Sequence, residues 1–286
     1  MRRALLVIPV LAALAAALGL ALPAGASSST PHPSVHVFGD MRQVQVQIPR
    51  THLQHATPAH GVVVSGNWSG WAVQHKGTFQ DQSIIATFNV PSVNCANSTL
   101  GTSGFAYDSQ WAGLDGAFAG SNTVEQDGVD GFCDSSGVPQ YDSWYEMYPL
   151  NPVVFTGVMP GDAIQASVRY LGRGMFNLAL TDLTQNAGFN VNQSCPAGSS
   201  CLKSSAEVIS EDPGGAVPAY DLADYGMENF DNARTGYSTY VNTLDSSPYW
   251  TGDIEFVMEN PSGNVMAAPS GLFGGKAFST TWRLSS

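Results

Sequence analysis

Basic side chains are scarce in this chain, and histidine is scarcest where catalysis would need it. The 286 residues carry 11 Lys and Arg against 23 Asp and Glu. Four of the basic residues (Arg2, Arg3, Arg42 and Arg50) precede Gly61, whereas only one acid, Asp40, does, so from Gly61 onward seven cations face twenty-two carboxyls. A region of that sign does not neutralise nucleic-acid phosphates and does not seek an anionic membrane. It also gains little positive charge in acid, so self-repulsion at low pH is small and the composition suits an acidic medium. Of the six histidines, five (His32, His36, His52, His55 and His60) also precede Gly61. That leaves His75, which stands between Gln74 and Lys76 ahead of Gly77 and reads as an exposed turn. A Ser-His-Asp or Cys-His nucleophile needs a histidine base, so those hydrolase classes are disfavoured. No G-x-S-x-G elbow and no H-E-x-x-H pair occurs. Nor is there a glycine-rich phosphate loop, and Asp127-Gly128-Val129-Asp130 lacks the ligand spacing of an EF-hand. Asp134-Ser135-Ser136-Gly137 misses the Asp-Ser/Thr-Gly turn of an aspartic-protease dyad by one residue. Neither a metal nor a cofactor is implied, and past the N-terminus no apolar run approaches the length of a membrane span.

What is present begins with export. Arg2 and Arg3 lead an apolar run from Ala4 to Leu22, followed by Pro23 and the small residues Ala24-Gly25-Ala26. This is the layout of a secretory signal peptide over residues 1–26, and it predicts a secreted protein with no membrane attachment after cleavage. The four cysteines fit that compartment. Cys195 and Cys201 bracket Pro196-Ala197-Gly198 and suit a small closed loop, which leaves Cys95 to pair with Cys133. Only one half of the set is closely spaced, unlike a four-cysteine zinc site. Residues 27–60, rich in Ser, Pro, Gln and His, read as a pro-segment or linker, with Val44-Gln45-Val46-Gln47-Ile48 alternating as a strand would. The remainder, 61–286, is one domain, expected to be monomeric.

That domain reads as strands and turns. Ile84 to Val90 is β-rich and stops at Pro91; Ala163 to Tyr170 alternates; Leu171-Gly172-Arg173-Gly174 turns; and Phe176, Leu178 and Leu180 alternate again, which together is a hairpin signal. Ile254 to Met258 and Ala277 to Trp282 are further strands, and a short helix is expected around Tyr220 to Phe230. Thirty glycines and seventeen prolines punctuate the chain. Many short strands with such turns imply an all-β sandwich or barrel.

Elimination leaves carboxylate and amide chemistry, and five segments carry it. They are Gly66-Asn67-Trp68-Ser69-Gly70, Trp111-Ala112-Gly113-Leu114-Asp115-Gly116, Val124-Glu125-Gln126-Asp127-Gly128, Tyr141-Asp142-Ser143-Trp144-Tyr145-Glu146-Met147-Tyr148-Pro149 and Ala206-Glu207-Val208-Ile209-Ser210-Glu211-Asp212. In content and order they resemble the blocks of the glutamic peptidases, or eqolisins, in a bacterial-type secreted form. Glu125 and Ser210 depart from that pattern, standing where the family's blocks carry apolar residues.

The resemblance implies a single catalytic domain built as a concanavalin-like β-sandwich of two bent antiparallel sheets, cleaving polypeptide substrates on its concave face. It implies Gln126 and Glu211 as the catalytic pair. Parity alone does not separate Glu211 from Glu207, since residues four apart in a strand share a face; the motif selects Glu211. A carboxylate can take a proton from water as general base and return it to the leaving amine. A primary amide offers two donors and one acceptor, so Gln126 can orient the water and stabilise the oxyanion. Trp68, Trp111, Glu146 and Tyr148 are implied substrate-binding residues. Asp115, Asp130 and Asp142 read as braces of the site or its turns. The segment 27–60 then becomes an inhibitor of its own domain, released in acid. Two rivals remain, a carbohydrate-binding sandwich with Trp144 and Tyr145 as sugar platforms, and a glycoside hydrolase using Glu146 and Glu211 without Gln126.

Overall fold

A computed structural model describes residues 35–45, 61–75, 83–214, 220–237, 240–243 and 250–286. The expected signal peptide, most of the expected pro-segment and four of the six histidines lie outside them. Nineteen strands follow one another, with no helix among the described residues. They are β1 (His36–Phe38), β2 (Arg42–Val44), β3 (Gly61–Ser65), β4 (Trp68–His75), β5 (Ser83–Asn89), β6 (Phe105–Leu114) and β7 (Val124–Cys133). Next come β8 (Pro139–Tyr148), β9 (Val153–Thr156), β10 (Ala163–Gly172), β11 (Met175–Asp182), β12 (Ala187–Ser194) and β13 (Ser205–Glu211). The last are β14 (Tyr220–Leu222), β15 (Met227–Tyr237), β16 (Tyr240–Thr243), β17 (Trp250–Glu259), β18 (Val265–Pro269) and β19 (Phe278–Trp282).

Two sheets face each other. The first runs β1-β12-β11-β10-β5-β15-β16. The second runs β3-β17-β4-β13-β6-β7-β8-β9-β2. Strand β15 belongs to both. Met227–Phe230 pairs with β19 in the second sheet, and after a register shift between Asp231 and Arg234 the strand continues along β5 in the first. Asn232, with φ +53°, sits in that shift, where an extra residue turns a strand from one sheet toward the other. Pairing is antiparallel except for β3 on β17 and β14 on β6.

The main core lies between the sheets. Ile164, Ala166 and Val168 of β10 and Phe176, Leu178 and Leu180 of β11 meet Val73, Ala112, Leu114, Val129, Ala206 and Val208 of the second sheet. Phe155 stacks on Phe189 across the gap at 4.7 Å between ring centres, an aromatic contact that adds to simple burial. The expected strands at Ile84–Val90, Ala163–Tyr170, Ile254–Met258 and Ala277–Trp282 correspond to β5, β10, β17 and β19, and the expected hairpin is β10–β11. Both disulfides form as paired from spacing, Cys95–Cys133 tying the loop after β5 to the end of β7, and Cys195–Cys201 closing the loop between β12 and β13.

Two expectations change. The segment Tyr220–Phe230 is not a helix but β14, a turn and the start of β15. Asp224 accepts the Gly226 amide at 2.9 Å and Gly226 has φ +69°, so the chain turns between two short strands. His75 closes β4 rather than sitting in a turn. In the segment 27–60, residues 36–38 and 42–44 are strands of the two sheets; of the expected strand Val44–Ile48, residues 46–48 lie outside the described residues.

Candidate active site

Five strands of the second sheet place the motif residues on its outer face, the one turned away from the first sheet. Cross-strand partners share a face, and the register aligns three rows. One holds Glu211, Ser109, Asp130 and Asp142; the next holds Ile209, Trp111, Gly128 and Trp144; the third holds Glu207, Gly113, Gln126 and Glu146. Trp68, Gly70 and Ala72 of β4 flank Glu211, Ile209 and Glu207 in turn. Gln126 and Glu211 therefore lie on one face, two rows and two strands apart. Glu207 occupies the row of Gln126, with Gly113 between them.

The Trp111 indole spans the interval between Gln126 and Glu211. A side chain at Gly113 would come within 2.8 Å of the Trp111 ring carbon Cζ3 and 3.1 Å of the Gln126 Cβ. The benzo edge thus lies over Gly113, beside Gln126. The other edge of the ring donates Nε1–H to Glu211 Oε2 at 2.8 Å. This gives the Trp-x-Gly spacing its reason, since the ring needs a residue without a Cβ two positions on. Gly128 lets β7 lie close to the β6 backbone, since a Cβ there would collide with the Gln110 carbonyl oxygen and stand 2.6 Å from Trp111 Cβ.

Glu211 is fully buried and held at both oxygens. Asn67 Nδ2 donates to Oε1 at 2.9 Å, opposite the Trp111 bond. Asn67 is fixed in turn by a tight turn at Ser65, whose Oγ accepts the amides of Asn67 (3.1 Å) and Trp68 (2.8 Å). Asn67 was quoted in the first motif block without a role, and its link to Glu211 spans 144 positions. The motif contained the residue; nothing in the sequence reported the contact.

Gln126 is also fully buried. Its Nε2 donates to Glu146 Oε2 at 2.8 Å, leaving the second N–H of that amide, and its Oε1 meets no hydrogen-bond donor. A buried amide oxygen without a partner is uncommon and marks a place where water or ligand completes the bonding. Trp68, edge-on to Trp111 at 5.0 Å and to Phe256 at 5.5 Å, likewise keeps a buried Nε1–H without a partner. Trp68, Trp111 and Trp144 belong to a second apolar cluster with Ile209, Ile254 and Phe256, and Tyr148 packs on its margin, partly exposed.

The three aspartates expected as braces divide between the faces. Asp130 accepts from Ser109 Oγ at 2.6 Å and from Trp144 Nε1 at 2.7 Å, so it fixes that ring on the site face. Asp142 is opposite Asp130 in register and buried. Asp115 stands just past β6 with φ +71° and accepts the amides of Lys203 and Ser204, each at 2.7 Å, and the Ser204 hydroxyl at 2.8 Å. It ties the disulfide loop to the end of β6.

The departures from the motif pattern fall on the inner face. Glu125 is buried, and burial raises its pKa well above the ordinary value, helped by the nearby Asp115 charge. Ser210 shares a 2.6 Å bond with Thr280. Asp127 is aimed at the backbone of Ala179 and Ser167 in the first sheet; its burial pushes the pKa well up, with those amides opposing. Burial also raises Asp108, which accepts from Gln110, and Asp115. Among the described residues no group of three or more His, Cys, Asp or Glu is arranged to hold a metal ion.

A sheet face that presents a clamped carboxylate and a buried, half-bonded amide offers a group that can exchange protons and an oriented hydrogen-bond donor. Residues 66–260 match the Peptidase A4 family, the glutamic peptidases, and the chain belongs to that family. It is 31% identical over 156 residues to scytalidopepsin B of Scytalidium lignicola, a stretch covering 54% of each chain, so the chain spans about half the length of the curated relative it matches. In fold it is similar to scytalido-glutamic peptidase solved with a transition-state analogue inhibitor, with a TM-score of 0.60 and 23% identity over 76% of this chain and 98% of that one. It is also similar to aspergilloglutamic peptidase from Aspergillus niger, with a TM-score of 0.54 and 24% identity over 62% and 99% of the two chains.

Proposed function

We propose that the chain is a secreted acid endopeptidase in which a carboxylate of β13, Glu211 by its motif or Glu207 by its register, activates water and Gln126 stabilises the oxyanion. The observation that carries this reading is the contrast between two buried groups on one face. Glu211 has both oxygens anchored, while Gln126 is oriented by Glu146 through one N–H and has an acceptor left over. In the proposed reaction the Gln126 oxygen and a carboxylate of β13 hold a water. The motif names Glu211, but the register sets Glu207 in the Gln126 row across Gly113 and Glu211 two rows away beyond the Trp111 ring, so Glu207 is the nearer carboxylate for a shared water. The carboxylate takes the water's proton as the water oxygen bonds to the peptide carbonyl carbon. The remaining Gln126 N–H donates to the oxyanion, and the proton on the carboxylate passes to the leaving amine as the C–N bond breaks. Asn67 and Trp111 set the direction of the Glu211 carboxylate, and Trp68 offers its free N–H to water or substrate. Secretion is supported by the N-terminal pattern and the two disulfides. Acid operation is supported by the many buried carboxyls with raised pKa values. Residues 27–60 act as the pro-segment of a zymogen that cuts itself in acid.

The test is cleavage of an unfolded protein substrate between pH 2 and 7 by the wild type, Gln126→Ala and Glu211→Ala. Acid-dependent cleavage lost in Glu211→Ala and reduced about 10²–10³-fold in Gln126→Ala is expected. Cleavage indifferent to Gln126 overturns the reading and favours a pair of carboxylates instead. Glu207→Ala belongs in the same series, because Glu207 shares the row of Gln126; loss of activity there with Glu211→Ala active would transfer the role of base.

A further inference from the structure

The segment Val35–Val44 lies upstream of the family match, which begins at residue 66, in the stretch that the peptidase reading makes a disposable pro-segment. Its contacts are those of a built-in part. Strand β1 pairs with β12, the outer strand of the first sheet, through His36↔Asn190, Val37↔Phe189 and Phe38↔Gly188. Four residues later β2 pairs with β9, the outer strand of the second sheet, through Arg42↔Thr156, Gln43↔Phe155 and Val44↔Val154. One ten-residue piece thus covers an edge of each sheet on the same side of the sandwich.

Three details show the domain shaped to receive it. Met41, between the two strands, is only 5% exposed, sits in the main core and accepts from Ser143 Oγ at 3.7 Å. Gly39 turns with φ +69° so close to β12 that a Cβ there would stand 2.4 Å from Ala187 Cβ. Gly157, just past β9, has φ +128°, and a Cβ there would meet Met41 Cα at 3.2 Å. Without the segment, β12 and β9 would present open edges, which sheet proteins ordinarily cover, and the core would lose a side chain. Strand addition of this kind holds through main-chain bonds plus a few anchoring side chains.

We propose that residues 35–44 are a permanent strap of the folded domain, so that a chain cut downstream of Gln45 keeps its N-terminal piece as a second, non-covalently bound polypeptide. Zymogen processing then removes less than the full segment 27–60, and the mature protein is assembled from two pieces or begins upstream of Val35. The strap deepens the pro-segment reading, but its test needs no peptidase activity, so either idea can fail alone.

The experiment uses the full chain carrying Glu211→Gln to prevent self-cutting, with the recognition sequence of an unrelated site-specific protease inserted between residues 50 and 51. After complete cutting, the mixture is passed through a sizing column under native conditions and the peak is analysed by mass spectrometry. The N-terminal fragment is expected to travel with the domain and to separate only in denaturant. Met41→Ala is expected to speed its release at least tenfold, while the same change at exposed Arg42 leaves the rate within about twofold. A fragment that leaves the column separately, whether or not the domain stays soluble, overturns the proposal. So does a release rate indifferent to Met41.

Discussion

The β10–β11 hairpin and the β6–β7–β13 ribbon are neighbours in one molecule and opposite in design. In β10 and β11 burial alternates along the strand, with Ile164, Ala166 and Val168 and then Phe176, Leu178 and Leu180 turned inward and their neighbours half-exposed. In β7 and β13 nearly every residue is buried, so both faces are covered. Strands buried on both faces are ordinarily apolar throughout. These instead carry Glu125, Gln126, Asp127, Asp130, Glu207, Ser210 and Glu211. The first pair obeys the rule that makes a sandwich; the second breaks it on both faces for different reasons. Outward, the polar groups bond one another around the proposed catalytic groups. Inward, carboxyls such as Glu125 and Asp127 lie in or beside the core and are driven toward their neutral forms.

If the contrast is real, each region fails in its own way. Glu211→Gln is the sharpest change on the site face, expected to lower kcat by about 10²–10⁴-fold, the usual contribution of a positioned base; the amide keeps the shape but sets an N–H against the donor on Asn67 or Trp111, so about 1–3 kcal/mol of stability is lost as well. Leu178→Ala, fully buried on β11, should do the reverse. It should destabilise by about 2–5 kcal/mol and leave kcat per folded molecule unchanged. Urea titration beside single-substrate kinetics reads both. A Leu178 variant of normal stability, or a Glu211 variant that loses its fold, would erase the distinction.

The same contrast explains what the sequence could disclose. The hairpin β10–β11 was readable because one wet face alternates with one dry face, and the disulfides were readable because only one pairing gave a short closed loop. Glu125-Gln126-Asp127-Gly128-Val129-Asp130 has the composition of a solvated loop, and no period in it announces a buried strand; only its place among the other motif blocks identified it. Tyr220–Phe230 misled for another reason. Its strands are short, joined by a Gly226 turn, and β15 changes sheets at Asn232, so no window of regular alternation survives. Asn67 lay in plain view, but its role depends on a partner 144 positions away.

The buried acids add a pH signature to this comparison. Burial raises Glu228, in the second-sheet half of β15, from 4.5 to about 7, against the pull of the Asn89 amide, which donates to it at 2.9 Å. A carboxyl raised on folding holds its proton more tightly in the native state. Stability is therefore full below pH ~4.5 and falls as pH rises toward 7, by about 3 kcal/mol for this group. Asp108, Glu125 and Asp127 shift in the same direction. The protein should unfold at lower urea concentration at pH 7 than at pH 4. Glu228→Gln should match the wild type at pH 4 and exceed it at pH 7. Equal wild-type midpoints at the two pH values would mean that these acids do not govern stability.

The smallest expected effect tests whether the site face is arranged or merely polar. Asn67→Ala removes a bond to Glu211 and the 3.3 Å bond that Asn67 Oδ1 accepts from Ser65 Oγ, but keeps the backbone amides of Asn67 and Trp68 on Ser65 Oγ. Trp111 still holds the other oxygen, so the carboxylate loses aim rather than place. A fall in kcat of about tenfold, about 1.4 kcal/mol of barrier, with KM nearly constant, is expected of such a positioning residue. Asn67→Asp separates aim from bulk. It keeps the size but sets a second carboxyl beside Glu211, and like charges so close favour retention of a proton. The acid limb of the rate profile should then move to higher pH in both variants, since Asn67→Ala also removes a donor to the charged form, and move further in Asn67→Asp. A uniform loss of activity in both variants, with the profile unmoved, would reduce Asn67 to a structural residue.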